Sequence, residues 1–255
     1  MKKIDIIVEV RSSSKRLPNK GMLKVMNRPL LELMIERLKK ISLVKDIIIA
    51  TTKNKEDDQI AKLAKKNKVK FFRGEEYDVL NRVVSCINKN KTDIIVQITG
   101  DNPLIDKYIT EKMIKFFILN SKKYDIISND CGYVINKFNK YFSLGLNTKV
   151  FSSSLLNKIN NKAKDPLERE HLILYVLKNY KKFKICNFKL SKKFHRPDLR
   201  FTMDYIEDYK VIKLIYENLY SKNKNFSALD IFKFLDENPN IKKINSKCIQ
   251  KNYDL

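Results

Sequence analysis

The chain has 255 residues, a formal net charge of +24, and 43% hydrophobic beside 32% charged residues. This length suits one large α/β domain, with or without a subsidiary lobe, and leaves no room for a third unit. The composition is that of a globular protein, and no apolar run approaches the roughly 20 residues of a membrane span. We therefore expect a cytoplasmic protein with no membrane partner.

The positive charge is distributed along the whole chain. Paired lysines occur in six separate segments: Lys39-Lys40, Lys65-Lys66, Lys122-Lys123, Lys181-Lys182, Lys192-Lys193 and Lys242-Lys243. Dispersed lysines are typical of solvated faces, whereas a nucleic-acid surface needs clustered cations and aromatic platforms. The sequence therefore predicts no specific nucleic-acid partner, and a basic nucleic-acid-binding module is kept as the alternative from another functional class.

Cysteine and histidine usage gives no sign of a metal or redox centre. The four cysteines, Cys86, Cys131, Cys186 and Cys248, are too widely spaced for a zinc or redox motif, so reduced structural thiols are expected. With only two histidines in the chain, a histidine-built metal site is not expected.

The first half of the chain alternates short apolar runs with helical patterns, which is typical of a mostly parallel sheet. Strands are expected at 4–10, 47–51, 69–72, 94–98 and 126–128. Pro29 suits the first turn of a helix at 31–41, and Asn54 can cap a helix that continues through Ala64. Further helices are expected at 78–88 and 106–119.

The rhythm changes in the second half. Residues 133–199 read as an inserted lobe, with an extended stretch at 142–151, helices at 153–159 and 166–179, and a strand at 184–190. A strand at 199–203 and helices at 206–219 and 228–235 then resume the α/β pattern. We expect one domain over 1–255, with a weakly patterned C-terminal tail at 238–255.

The first strand runs into a loop rich in cations and hydroxyls. Arg11, Lys15, Arg16 and Lys20 surround a cluster of three serines at 12–14. Such a loop at the carboxyl end of a buried strand is how α/β proteins hold polyphosphates, which favours a nucleoside triphosphate as ligand. The loop matches neither the Walker A nor the dinucleotide-binding fingerprint, so a solvated basic turn stays the alternative.

Two aspartates that follow apolar strands are candidate metal ligands. Asp101 comes directly after the strand at 94–98, and Asp204 follows the one at 199–203. Mg²⁺ prefers oxygen ligands, commonly one or two carboxylates together with substrate phosphates and water. Helix capping is the competing role, and it is favoured for Asp106 and left open for Asp204.

Together these segments resemble the cytidylyltransferase family of nucleotide-sugar synthesis, especially the branch of the spore coat polysaccharide protein SpsF, which is related to CMP-KDO and CMP-sialic acid synthetases. The resemblance covers the chain through about residue 220. It rests on eight ordered segments: 11–20 (RxxSxRLPxK), 28–30, 50–52, 72–74 with 78–80, 99–106 (TGDxPLID), 145–146, 165–171 (DPxEREH) and 198–204 (DLRxTxD).

The resemblance implies a GT-A/Rossmann-like nucleotidyltransferase fold, CTP as substrate and Mg²⁺ as cofactor. It implies catalytic roles for Arg11, Arg16, Lys20 and Asp101, and Mg²⁺ binding by Asp101 and Asp204. Gln97 lies where relatives can read the base. The full set implied to bind the nucleotide is Val10, Arg11, Ser12, Ser13, Ser14, Lys20, Thr52, Gln97 and Gly100.

The acceptor side departs from the family pattern. The usual GLDVEVF becomes 145–151 with Asn147 and Lys149 in place of two acids, which indicates a different acceptor. Asn147, His171, His195 and Arg196 are the candidate acceptor-binding residues. Their alternatives are structural, since charges at helical spacing usually form a solvated or interface face and His195 can simply turn the chain.

The resemblance therefore implies transfer of CMP from CTP to a sugar acid, sugar phosphate or polyol phosphate, with release of pyrophosphate, for surface glycan synthesis. A uridylyl- or guanylyltransferase of the same fold is the nearest alternative, because backbone groups often read the base. The inserted lobe is predicted to form a homodimer, as its counterpart does in similar enzymes.

Overall fold

The computed structural model describes residues 2–130 and 141–250. These ranges leave out Cys131, residues 133–140 of the predicted lobe and residues 251–255 of the predicted tail. In chain order the strands are β1 Ile4–Glu9, β2 Lys24–Val25, β3 Arg28–Pro29, β4 Asp46–Thr52, β5 Lys70–Gly74, β6 Ile94–Thr99, β7 Ile126–Ser128, β8 Lys149–Ser152 and β9 Ile185–Asn187.

Seven strands form one mostly parallel sheet in the order β5-β4-β1-β6-β8-β7-β9. The four strands from β5 to β6 are parallel, β8 runs antiparallel to β6 and β7, and β9 is parallel to β7. Ile7 of β1 is in register with Ile48 of β4 and Gln97 of β6. The carboxyl ends of β1, β4 and β6 therefore meet at one edge, where open α/β sheets bind ligands.

Ten α-helices are assigned within the described residues. They are α1 Leu30–Leu38, α2 Asp58–Lys66, α3 Val79–Asn90, α4 Lys107–Asn120, α5 Ser153–Lys162, α6 Pro166–Glu170, α7 Leu174–Lys178, α8 Ile206–Leu219, α9 Ala228–Glu237 and α10 Pro239–Lys243. No described helix combines the length and the apolar composition needed to cross a bilayer.

Strand residues alternate between two apolar layers because successive side chains leave a strand on opposite faces. Ile6 and Val8 pack with residues of α1, α2, α4, α8 and α9, whereas Ile7 and Ile48 pack with α3, α5 and α7. Both faces are thus covered by helices, which explains why the parallel strands read as continuous apolar runs. The predicted α/β class with a mostly parallel central sheet is confirmed.

Several local expectations differ from the structure. Residues 199–203 form no regular strand and only Arg200 bridges to Leu144. The helix expected at 166–179 is interrupted between α6 and α7. The stretch expected at 142–151 forms only β8 and the isolated bridge of Leu144. Asn54 makes no capping hydrogen bond, because its amide instead donates to Glu76.

The segment predicted as an inserted lobe contributes β8 and β9 to the central sheet, with β8 seated beside β6. Within the predicted tail, α10 packs near α9, and Asn245 is 5% exposed. Of the cysteines that the structure describes, Cys86, Cys186 and Cys248 are free.

Candidate active site

The loop that follows β1 is fixed by backbone and carboxylate contacts. The Ser12 amide donates to Asp57 Oδ1 at 2.7 Å, and the Ser12 carbonyl accepts from the amides of Ser14 and Asn19 at 2.9 Å. Thr52 donates to Asp57 Oδ2 through its amide and hydroxyl. Burial raises the pKa of Asp57, but the hydrogen bonds from Thr52 and Ser12 outweigh this effect. The pKa of the carboxyl therefore lies below its usual range.

Glu76 holds the other side of this loop. Its Oε1 accepts from the Ser13 hydroxyl and its Oε2 accepts from Asn54 Nδ2 at 2.6 Å. Arg11 Nη1 lies 3.7 Å from Glu76 Oε1, and Arg11 Nη2 donates to Glu170 Oε1 at 2.8 Å. The Arg11 guanidinium thus lies between two carboxylates. A polyphosphate would offer it the same kind of anionic oxygen acceptors.

Asp101 and Asp204, far apart in sequence, converge on one ammonium. Lys20 Nζ lies 2.8 Å from Asp101 Oδ2 and 3.3 Å from Asp204 Oδ1. Burial lowers the pKa of Lys20, but the two carboxylates outweigh it and the net shift is upward. Burial raises the pKa of Asp101, and Lys20 and Thr99 bring it below its usual range. We call Lys20, Asp101 and Asp204 the aspartate–lysine cluster.

Asp204 is held by two further cations. Arg16 Nη2 lies 2.9 Å from Oδ1, and Arg200 Nη2 donates to Oδ2 at 3.0 Å. The Asp208 carboxylate accepts from the backbone amides of Asp204 and Tyr205, both at 3.0 Å. The Asp204 carboxylate is therefore directed at cations while Asp208 serves the start of α8. Asp106, by contrast, accepts from the Ile109 amide at 2.9 Å as an N-cap.

The turn that carries Asp101 is packed tightly against the end of β1. The Gly100 amide donates to the Glu9 carbonyl at 2.8 Å, and a Cβ on Gly100 would lie 2.6 Å from the Val10 Cβ. The Asp101 carbonyl in turn accepts from the Met203 amide at 2.9 Å. Only glycine fits at position 100 while the turn keeps this position. The hydrogen bond between Asp101 and Met203 brings Asp204 to the same edge of the sheet.

A second polar group, the Glu9 cluster, comprises Glu9, Arg82 and Gln97. Glu9 Oε1, Arg82 Nε and Gln97 Oε1 are buried without a hydrogen-bond partner. Burial raises the pKa of Glu9 to about 7, although Arg82, Gln97 and Lys149 oppose the shift. Gln97 is 5% exposed on β6, in register with Lys149 of β8.

The candidate acceptor residues fall in different places. Asn147 Oδ1 accepts from the Gly145 amide at 2.6 Å, a contact within its own loop. His171 is the C-cap residue of α6. Burial lowers its pKa, and the smaller opposite effect of Glu170 does not cancel this shift. His195 Nε2 lies 2.9 Å from the Leu190 carbonyl, and Arg196 pairs with Asp198 and Asp236. His195 therefore has a contact within its own segment, and Arg196 holds that segment against α9.

The donor set at the aspartate–lysine cluster fits Mg²⁺. Two carboxylates from separate segments already surround one cation there, and Mg²⁺ completes its shell with water and substrate phosphates. No larger group of acidic, histidine or cysteine ligands occurs in the part of the chain that the structure describes. Such a site would hold the ion mainly together with a phosphate ligand.

Sequence reasoning missed Asp57, Glu76 and Asp208, which organise the candidate site without belonging to it. Each acts on residues that are distant in the chain or on a backbone amide, and such contacts leave no spacing pattern. The only signals were the positions of Asp57 and Asp208 in the first turns of predicted helices, because acidic residues favour that turn.

Comparison with known proteins agrees with this fold and with the sequence motifs. The cytidylyltransferase family model matches residues 6–231. The chain belongs to this family. An uncharacterized protein of Methanocaldococcus jannaschii is 37% identical over 251 residues, which cover 98% of each chain. The spore coat polysaccharide biosynthesis protein SpsF of Bacillus subtilis is 28% identical over 94% of this chain and 96% of its own.

A solved structure of a cytidylyltransferase from Leptospira borgpetersenii is 32% identical, with a TM-score of 0.88 over 99% of this chain and 100% of its own. The predicted membership of the cytidylyltransferase family, in its SpsF-like branch, is thereby confirmed. The chain is a nucleotidyltransferase enzyme related to proteins of polysaccharide biosynthesis.

Proposed function

We propose that this cytidylyltransferase is Mg²⁺-dependent and transfers CMP from CTP to a sugar acid, sugar phosphate or polyol phosphate, releasing pyrophosphate, for surface glycan synthesis. The observation that carries the proposal is the convergence of Asp101 and Asp204 on Lys20, next to the loop that contains Arg11 and Arg16. Attack on an α-phosphate requires cations that neutralise the phosphoryl oxygens and the departing pyrophosphate.

Each proposed phosphate-binding cation is paired with a carboxylate. Arg11 contacts Glu76 and Glu170, Arg16 contacts Asp204, and Lys20 contacts both aspartates. Exchange of these partners for phosphate oxygens would keep the cations compensated while they orient the triphosphate. Asp101 and Asp204 would hold Mg²⁺, which when bound would supply charge neutralisation at the phosphates. The acceptor oxygen is the nucleophile, so the chain's contribution is placement and charge compensation.

The acceptor determines the product. An unphosphorylated sugar hydroxyl would give a CMP-linked product, whereas a phosphate on the acceptor would give a CDP-linked one. Lys149, which pairs with Asp130 at 2.7 Å, replaces an acid of the family pattern and supports an acceptor different from that of the relatives. We propose an anionic or sugar acceptor and action in the cytoplasm. Homodimer formation through residues 133–199 stays a prediction, and a monomer by light scattering would contradict it.

The test is pyrophosphate release from each of the four nucleoside triphosphates, with a panel of sugar acids, sugar phosphates and polyol phosphates and with or without Mg²⁺. We expect release with CTP and Mg²⁺ and one acceptor class. UTP or GTP as the only effective donor would replace cytidylyl transfer by the uridylyl or guanylyl alternative. Tight, salt-steep RNA binding without any pyrophosphate release would instead favour a nucleic-acid-binding module.

Asp101→Ala tests the carrying observation. We expect nearly complete loss of turnover, on the order of 10²–10³-fold, with the fold intact. Asp46→Asn is the matched control, because Asp46 pairs with Lys3 and Lys70 at the start of β4, the opposite edge of the sheet. Full activity of Asp101→Ala would remove Asp101 from the site.

A further inference from the structure

The chain beyond α10 returns to the candidate active site. The buried Asn245 side chain donates through Nδ2 to the Arg200 carbonyl at 3.0 Å and to Asp208 Oδ1 at 2.9 Å. Gln250 Oε1 accepts from Arg200 Nη1 at 2.9 Å, and the Tyr205 hydroxyl donates to the Ile249 carbonyl at 3.3 Å. Residues 245–250, here called the C-terminal clamp, thus contact residues on both sides of Asp204.

These contacts form a continuous chain of hydrogen bonds to the proposed metal ligand. Arg200 Nε donates to Asp208 Oδ1 at 3.0 Å, and Arg200 Nη2 donates to Asp204 Oδ2 at 3.0 Å. Asp208 Oδ2 accepts from the Asp204 amide at 3.0 Å. Asn245 therefore holds both the backbone of Arg200 and the carboxylate of Asp208, which in turn fix the side chain and backbone of Asp204.

The same segment also orders the aromatic ring beside Asp204. Arg16 and Arg200 lie over the Tyr205 ring, 5.3 Å and 5.8 Å from its centroid. The ring is anchored by its hydroxyl contact with the clamp. Arg16, a proposed phosphate ligand that also pairs with Asp204, is thereby packed against a ring whose position depends on residue 249.

The clamp lies beyond the residues that the cytidylyltransferase family model matches, which end at 231. Its buried Asn245 amide contacts Arg200 and Asp208, the two residues that orient Asp204. We propose that the C-terminal clamp is part of the active site, with Asn245 as a positioning residue that sets Asp204 for binding the divalent ion. This inference rests on the magnesium role proposed for Asp204.

The test compares Asn245→Ala with Asn238→Ala. Asn238 is the matched control, because its Nδ2 also donates to a backbone carbonyl, that of Phe234, at 2.8 Å, and it touches no residue named in the chain of hydrogen bonds above. The first readout is the affinity for Mn²⁺ in the presence of CTP, measured by electron paramagnetic resonance. The others are the melting temperature and the Mg²⁺ concentration that gives half-maximal turnover.

We expect Asn245→Ala to weaken Mn²⁺ binding about 10- to 100-fold, as losses of outer partners of metal ligands commonly do, and to require correspondingly more Mg²⁺. Asn238→Ala should lower the melting temperature without changing metal affinity. If Asn245→Ala does not fold, Gln250→Ala, which removes a partly buried contact to Arg200, should weaken Mn²⁺ binding in the same direction.

Equal Mn²⁺ affinities of the wild type and the clamp variants would overturn the inference, as would an equal loss in Asn238→Ala or a wild type that binds no Mn²⁺. Failure of the proposed function is a separate result. It would appear as wild-type protein that releases no pyrophosphate from any nucleoside triphosphate, whatever the metal affinities of the variants.

Discussion

Two polar clusters share the carboxyl edge of the sheet, and they are satisfied in opposite ways. In the aspartate–lysine cluster every charge faces an opposite charge, with Lys20 between Asp101 and Asp204. In the Glu9 cluster, Glu9 Oε1 and Gln97 Oε1 are buried without a hydrogen-bond partner. The charges of the first cluster are thus compensated, whereas the unpaired buried polar atoms of the second cost free energy and reduce the stability of the folded chain.

The largest effect that would sharpen this comparison concerns the shared ammonium. Lys20→Met leaves Asp101 and Asp204 without their common cation, and it removes a charge proposed to neutralise the triphosphate. We expect turnover to fall on the order of 10²–10³-fold. Lys24→Met is the control, because Lys24 is an exposed lysine a few residues away. Kinetics under saturating Mg²⁺ check the result, and turnover equal to that of Lys24→Met would contradict the role.

The Glu9 cluster gives the next effect, on stability rather than turnover. Burial raises the pKa of Glu9 in the folded state to about 7, so the folded state favours the protonated carboxyl. The contribution of protonated Glu9 to the stability of the fold is fully present below about pH 4.5 and is lost as the pH rises through 7. Glu9→Gln removes the titration, so its free energy of unfolding should exceed that of the wild type by on the order of 3 kcal/mol at pH 8.

The free energies of unfolding of the wild type and of Glu9→Gln should be nearly equal at pH 4.5. Urea unfolding at pH 4.5 and at pH 8 measures the difference. Glu75→Gln serves as control, because its carboxylate is exposed and pairs with Lys53 on the surface. A Glu9→Gln advantage that is the same at both pH values would show that Glu9 does not titrate in this range.

The pattern of residues predicted one cluster much better than the other. Asp101 was recognisable because it follows an apolar strand, and its strand and turn were expected at nearly the observed bounds. Gln97 was also a candidate, but its grouping with Glu9 and Arg82 was not predicted. Arg82 comes from α3, 73 residues after Glu9, and only the fold brings the two together. The same reason hid Asn245, whose partner Arg200 lies 45 residues earlier.

Residues 199–203 show why local patterns misassign structure near a site. Their alternation predicted a strand, yet the Phe201 amide donates to the Leu144 carbonyl and the Met203 amide to the Asp101 carbonyl. Two different segments thus take the hydrogen bonds that a ladder would use. Buried backbone groups need partners, but the sequence does not say which segment supplies them.

A smaller effect tests how closely the two clusters are joined through Gly100, whose amide bonds the Glu9 carbonyl. A Cβ there would meet Val10 Cβ at 2.6 Å, so Gly100→Ala should cost about 1–3 kcal/mol of unfolding free energy through overpacking. Gly21→Ala is the control, because its Cβ would meet Val10 Cγ2 at an ordinary 3.4 Å. Equal stabilities of the two variants in urea would show that the turn can move away from β1.

The smallest effect concerns Arg196, which lies in neither cluster and was predicted to contact the acceptor. Its guanidinium forms two 2.9 Å contacts with Asp236, whose side chain is 56% exposed. Exposed ion pairs contribute little, so Asp236→Asn and Arg196→Met should each cost less than about 1 kcal/mol, with the cost shrinking in high salt. The acceptor KM should stay unchanged in both. A KM that rises in Arg196→Met alone would return Arg196 to the acceptor site, because Asp236→Asn removes the same ion pair while leaving the cation in place.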